Sequence, residues 1–114
     1  MRYITHEFAH VETLERCRRW LIFACARDKD VPGMLRVLLP HFAHAFLTQF
    51  HNNPRSVSPT QLADLVHQNG DVPCTICPTT AEAWQQARQA AGPNDLICVT
   101  GSVYLAGEIR PMLL

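Results

Sequence analysis

Apolar stretches of strand length recur along this chain, and stretches with helical spacing separate them. Trp20 to Ala26 is one continuous apolar run, Ala43 to Thr48 and Val72 to Cys77 are shorter ones, and Leu96 to Val99 is the last. Unbroken apolar runs suit strands that are covered on both faces, and helices between them supply the crossovers that join parallel neighbours. This alternation predicts an α/β domain with right-handed crossovers and a mostly parallel sheet of four or five strands.

Capping chemistry places the helices. Residues about 7–18 carry Phe8, Val11, Leu14 and Cys17 on one stripe. Asp30 is placed to cap a helix that has Pro32 in its first turn, where a missing N–H is harmless, and Met34, Leu35, Leu38 and Leu39 give it an apolar face. Ser58 or Thr60 starts the next helix, which runs to about His67 and is ended by Gly70. Thr79 or Thr80 caps a long helix over Ala81 to Ala91, and Gly92-Pro93 stops it. Pro73 inside an apolar run predicts an edge strand, because proline cannot donate to a ladder. The series opens on a helix, and only Arg2 to Thr5 could supply a preceding strand. The expected architecture is a three-layer α/β/α sandwich, Rossmann-like, forming one domain over residues 1–114.

Bulk properties narrow the partners. With 114 residues, 47% of them hydrophobic, one domain can bury a substantial core. Lys+Arg and Asp+Glu both number 10, so the basic surface that non-specific nucleic-acid binding requires is absent. No apolar run approaches about 18 residues, so no membrane span is expected, and the N-terminal residues lack a secretory pattern. Five cysteines in a chain with an ordinary core are read as reduced thiols in a cytoplasmic protein.

Two turns stand where parallel sheets bind ligands, beyond the carboxyl ends of the strands. Leu96 to Val99 stops at Thr100-Gly101-Ser102, and a helical pattern follows at once. Such a turn aims free backbone N–H groups and a hydroxyl above the sheet, usually at an anion. Asp28-Lys29-Asp30 follows the Trp20 run in the same way. If the two strands are neighbours, the turns meet at one crevice. The plain alternative is a Ser102 hydroxyl that only caps its own helix and a charged loop that is simply solvated.

Other constellations compete. His6-Glu7-Phe8-Ala9-His10 has the spacing of a zinc hydrolase, with two imidazoles on one helical face and Glu7 as general base. It lies at the N-terminal end of the chain, and Thr13 and Arg16 stand where an extended motif would continue. Cys74-Thr-Ile-Cys77 is a lone C-x-x-C without the second pair of a structural zinc site, and Pro78 and Thr79 separate it from the helix start that would activate a redox thiol. These two cysteines read as small apolar residues at a strand end. Cys17, Cys25 and Cys98 read as core fillers, His41 and His44 as flanking a helix end, and Trp84 as packing.

Three blocks in order carry a family resemblance. Leu21 to Met34, Asn53-Pro-Arg-Ser-Val57 with Pro59 and Leu62, and Ala90 to Arg110 are similar to the C-terminal domain of folylpolyglutamate synthase/dihydrofolate synthase, a branch of the Mur ligase superfamily. The resemblance implies part of an ATP-dependent amide ligase that activates a folate or pteroate carboxylate as an acyl phosphate for attack by glutamate. It implies a substrate-side role for Gly101, Ser102 and His6, and a nucleotide-side loop at Asp28, Lys29 and Asp30. Aligned on Leu14, Tyr3 stands where the family's Asp-Gly-Ala-His-Asn motif has aspartate, and Glu7 where it has asparagine. ATP and magnesium belong to the family's central domain, and this chain has no Gly-x-x-x-x-Gly-Lys-Ser/Thr loop to cradle phosphates. These 114 residues are therefore expected to be inactive alone, as an excised domain, a truncated product or a domain with a new role. Their partner would be a central ATPase domain in cis or trans, met through an exposed apolar patch that could otherwise drive homo-oligomers. The alternatives are a non-catalytic nucleotide- or protein-binding module, and a zinc hydrolase built on His6, Glu7 and His10.

Overall fold

The computed structural model describes residues 2–4, 18–50, 53–101, 109 and 111. Its strands are β1 (Arg2–Ile4), β2 (Arg19–Phe23), β3 (His44–Leu47), β4 (Cys74–Ile76) and β5 (Leu96–Thr100). Its helices are α1 (Val31–Leu38), α2 (Pro59–Asn69) and α3 (Thr80–Ala90). The helix expected over 7–18 lies outside the described residues, except for Arg18, which is irregular and exposed.

All five strands run parallel in the order β1-β5-β2-β3-β4. The first strand is the short Arg2–Ile4 segment, paired with β5 through Tyr3 and Ile97. From β2 the chain steps outward through α1, β3 and α2 to β4, then α3 carries it back across the sheet to β5. Right-handed crossovers therefore put α1 and α2 on one face and α3 on the other. Side chains alternate accordingly. Leu21, Phe23, Ala45 and Leu47 pack with Leu35, Leu39, Leu62 and Val66. Trp20, Ile22, Phe46, Ile97 and Val99 pack with Ala83, Trp84 and Ala87. Every residue of β5 is buried, which explains why its sequence reads as a continuous apolar run.

The expected caps are made. Asp30 accepts from the Gly33 N–H, Ser58 forms a reciprocal capping box with Gln61, and Thr79 accepts from the Glu82 N–H. Gly70 ends α2 with φ −174°, extended rather than left-handed. Its missing Cβ matters for packing, since that atom would lie 2.8 Å from Leu39 Cδ1. The apolar run that contains Pro73 supplies the edge strand β4, and Pro73 directly precedes that strand, its carbonyl accepting from the Ala45 N–H at 3.0 Å.

A carboxylate ties the starts of the two central strands. Asp95 Oδ1 accepts from the Arg18 N–H at 3.1 Å, while Oδ2 accepts from Trp20 Nε1 at 3.1 Å and from the Gly92 N–H at 2.8 Å. The Gly92 N–H is the main influence holding this carboxyl below its usual range, and the Trp20 and Arg18 bonds act with it against partial desolvation. A folded-state value below the unfolded one stabilises the fold above the unfolded value of about 3.9, and that contribution disappears as pH falls through the folded value. Asp95→Ala is expected to cost roughly 1–3 kcal/mol at pH 7, read by urea unfolding, because it orphans three donors. The deficit should shrink in parallel titrations towards pH 2. Equal losses at pH 7 and pH 2 would show that the carboxylate charge is not what holds this knot.

Candidate functional site

The carboxyl ends of β2 and β5 come together because the two strands are adjacent. Their last registered pair is Phe23 and Thr100, so the turns after each strand occupy one rim. Gly101 takes φ 115°, and a Cβ there would strike the Ala24 carbonyl and come within 3.2 Å of the Phe23 ring. Only glycine lets the turn after β5 rest on the end of β2 in this way.

The loop after β2 is clamped from a third element. Arg27 N–H donates to the Arg55 carbonyl at 2.8 Å, and Val57 N–H donates to the Cys25 carbonyl at 2.9 Å, beside an antiparallel bridge between Ala26 and Ser56. Ser56 Oγ in turn accepts from the buried Phe50 N–H at 3.1 Å. The Asn53 to Val57 segment thus serves as a brace for the charged corner.

The three residues of that corner do different things. Asp30 is committed to capping, with Oδ1 accepting from the Gly33 N–H at 3.2 Å, and a side chain on residue 33 would collide with that carboxylate. Asp28 and Lys29 are exposed. Both act electrostatically on the Cys25 thiol, whose pKa is pushed up mainly by burial, lowered by Lys29 and raised by Asp28. A shallow recess of about 440 Å³ joins the corner to the end of β5 through Asp30, Gly33, Met34 and Thr100. Val37 stands at its lip, 69% exposed, and gives the recess an apolar side.

Ser102, His6, Glu7 and His10 lie outside the described residues. Among the described residues, no group of three or more His, Cys, Asp or Glu could hold a metal ion. No helix there is long and apolar enough to cross a membrane. The C-x-x-C pair is not poised for redox work. Cys77 is fully buried, and burial with Glu82 nearby pushes its thiol up to about 11, while burial also raises Cys74. Cys98 is raised to about 12 by burial. His44 bonds through Nε2 to Thr75 Oγ1 at 2.7 Å, and burial lowers its pKa, so it is a neutral structural imidazole at pH 7. Trp84 is buried among α3-side core residues, as a packing role requires.

Comparison with known proteins fits this geometry. The profile of the family described as Mur ligase, glutamate ligase domain, matches residues 3–103. No curated protein sequence matches the chain. Among solved structures, Mycobacterium tuberculosis folylpolyglutamate synthase complexed with ADP and AMPPCP superposes with TM-score 0.74 at 27% identity, over 89% of this chain and 25% of that one. A bifunctional folylpolyglutamate synthase/dihydrofolate synthase with Mn, AMPPNP and L-glutamate bound superposes with TM-score 0.74 at 25% identity, over 91% and 25%. Escherichia coli FolC with DHPP and ADP gives TM-score 0.80 at 20% identity, over 90% and 24%. The chain therefore spans about a quarter of the length of these structures. It belongs to the Mur ligase glutamate ligase domain family, and its fold is that of the C-terminal domain of folylpolyglutamate synthase-like ligases.

Sequence reading did not find the brace between the corner and Asn53–Val57, because backbone bonds across nearly thirty residues leave no local pattern. Two expectations test the rim. Gly101→Ala should destabilise the domain by about 2 kcal/mol or more in urea unfolding, since strain at positive φ adds to the collision with Ala24. A change under about 0.5 kcal/mol, the size usual for an unconstrained surface position, would deny the contact. At pH 8, Cys25, Cys77 and Cys98 should resist iodoacetamide in the native state and react in denaturant. Rapid native labelling of Cys77 would show an activated thiol.

Proposed function

We propose that this domain supplies the glutamate side of an ADP-forming amide ligation, in which a folate or pteroate carboxylate is activated by ATP and joined to glutamate. The observation that carries the reading is the shared rim. The pairing of β2 with β5 puts the Gly101 turn and the Asp28–Lys29–Asp30 corner at one rim of a parallel sheet, where Asp30 and Thr100 line one recess, on a chain that belongs to the glutamate ligase domain family. Two of the structural relatives carry ADP or AMPPNP together with DHPP or L-glutamate, which is the ligand set this reaction needs.

In this reading Ser102 contributes a hydroxyl and the Gly101 turn its backbone N–H groups toward the incoming glutamate. His6, which follows β1 in the sequence, is assigned to the same substrate side by the family resemblance. Asp28 and Lys29 serve the nucleotide side, and Asp30 acts by shaping the loop rather than by touching ligand. The phosphate cradle and magnesium belong to a central ATPase domain, since these residues offer neither a phosphate loop nor a metal-ligand set among those described. A positioned amine within reach of an acyl phosphate gains most of its rate from orientation, which is what a rigid rim provides.

The domain alone should therefore show no glutamate-dependent ADP release. Mixing it with a separately folded central domain of a folylpolyglutamate synthase, ATP, magnesium, glutamate and a folate acceptor should restore it. Ser102→Ala should lower the restored rate by about tenfold or more, as loss of one positioned donor does. A mixture that stays dead while both parts are folded and associated would overturn the reading.

A further inference from the structure

Met34 is the only methionine among the described residues, and it stands between two environments. On one side is the core. The Cys25 S–H donates to Met34 Sδ at 3.8 Å, and Cys25, just beyond β2, is fully buried. On the other side Met34 is half-buried and lines the rim recess with Asp30, Gly33 and Thr100. A thioether sulfur carries two lone pairs. The Cys25 thiol engages one and closes that side by its bulk, so a reagent entering from the recess reaches the other. Oxygen added to one lone pair gives one sulfoxide epimer, and oxygen added to the other gives the opposite epimer. Cys25 competes poorly for an oxidant, because the thiolate is the reactive form and burial keeps this thiol protonated.

We propose that Met34 is a modification site, oxidised by a hydroperoxide on its recess-facing side to a single sulfoxide epimer. The free lone pair attacks the distal peroxide oxygen. The S–O bond forms as the O–O bond breaks, and the remainder leaves as an alcohol, or as water from hydrogen peroxide. The sulfur loses two electrons and the peroxide gains them, while the Cys25 proton stays in place. The new oxygen is a strong acceptor, and it enters the recess beside the Asp30 carboxylate, which accepts only and is already held by the Gly33 N–H. An apolar wall of the rim thereby becomes polar. Weaker docking of a central ATPase domain on the oxidised rim follows, and that consequence alone rests on the ligase reading.

The test treats the whole folded chain with dilute hydrogen peroxide and reads the tryptic fragment Asp30–Arg36, in which Met34 is the one methionine. One added oxygen is expected on that fragment. The isolated fragment is then offered to the two methionine sulfoxide reductases, each specific for one epimer, and one of them should restore roughly four-fifths or more of it. The same chain oxidised in urea should give both epimers in similar amounts. Cys25→Ala oxidised without urea should do so too, with its fold checked by circular dichroism. The oxidised chain should bind a central ATPase domain about threefold or more weakly than the untreated chain. Similar amounts of both epimers from the folded chain, or loss of the Cys25 thiol before Met34 gains oxygen, would overturn the proposal. Equal binding before and after oxidation would overturn the docking consequence, whereas no binding by the untreated chain would count against the ligase reading instead.

Discussion

The parallel pairing of β2 with β5 is the constraint on which the rest of this domain depends. These strands are separated by the whole length of α1, β3, α2, β4 and α3, and closing that loop is costly in chain entropy. The cost is met by burying β2 and β5 on both faces and by the Asp95 carboxylate that binds their starting ends together. At the other ends of the same two strands, the Gly101 turn lies against the Ala24 carbonyl. One pairing thus fixes the N-terminal rim through a carboxylate and the C-terminal rim through a glycine.

That division separates stability from chemistry. The Asp95 knot, Trp20 and His44 belong to the rim where strands begin, and their polar atoms are paired, Trp20 with Asp95 and His44 with Thr75. The charged corner, the brace from Asn53 to Val57 and the Gly101 turn belong to the rim where strands end. There the paired groups are mainly backbone, which leaves the Lys29 and Asp28 side chains exposed to whatever approaches. Asp30 is the exception, because the helix takes its carboxylate.

The strand and helix order was legible because each run had its own period and its own punctuation. Asp30, Ser58 and Thr79 mark helix starts by a hydroxyl or carboxylate that meets an orphan N–H, and the structure makes those bonds. Pro73 marked the edge strand by the donor it lacks. The adjacency of β2 and β5 followed from no local pattern, since it depends on α3 crossing back over the sheet. Of the candidate site, Gly101 and the charged corner could be read from their places after apolar runs. The split of labour within Asp28–Lys29–Asp30 could not, because it turns on which carboxylate reaches the Gly33 N–H. The contribution of Ala24 was also hidden, since it acts through a carbonyl that every residue possesses.

The proposed ligase role requires a central ATPase domain to meet this domain on the rim where its strands end. Hydrogen–deuterium exchange on the chain bound to a central ATPase domain with ATP and glutamate tests it directly. Slowed exchange confined to residues 24–30 and 98–101, relative to the free chain, is the predicted result. Slowed exchange at Arg18, Ala43 and Asp95 with none at Gly101 would place the encounter on the opposite rim and contradict the account.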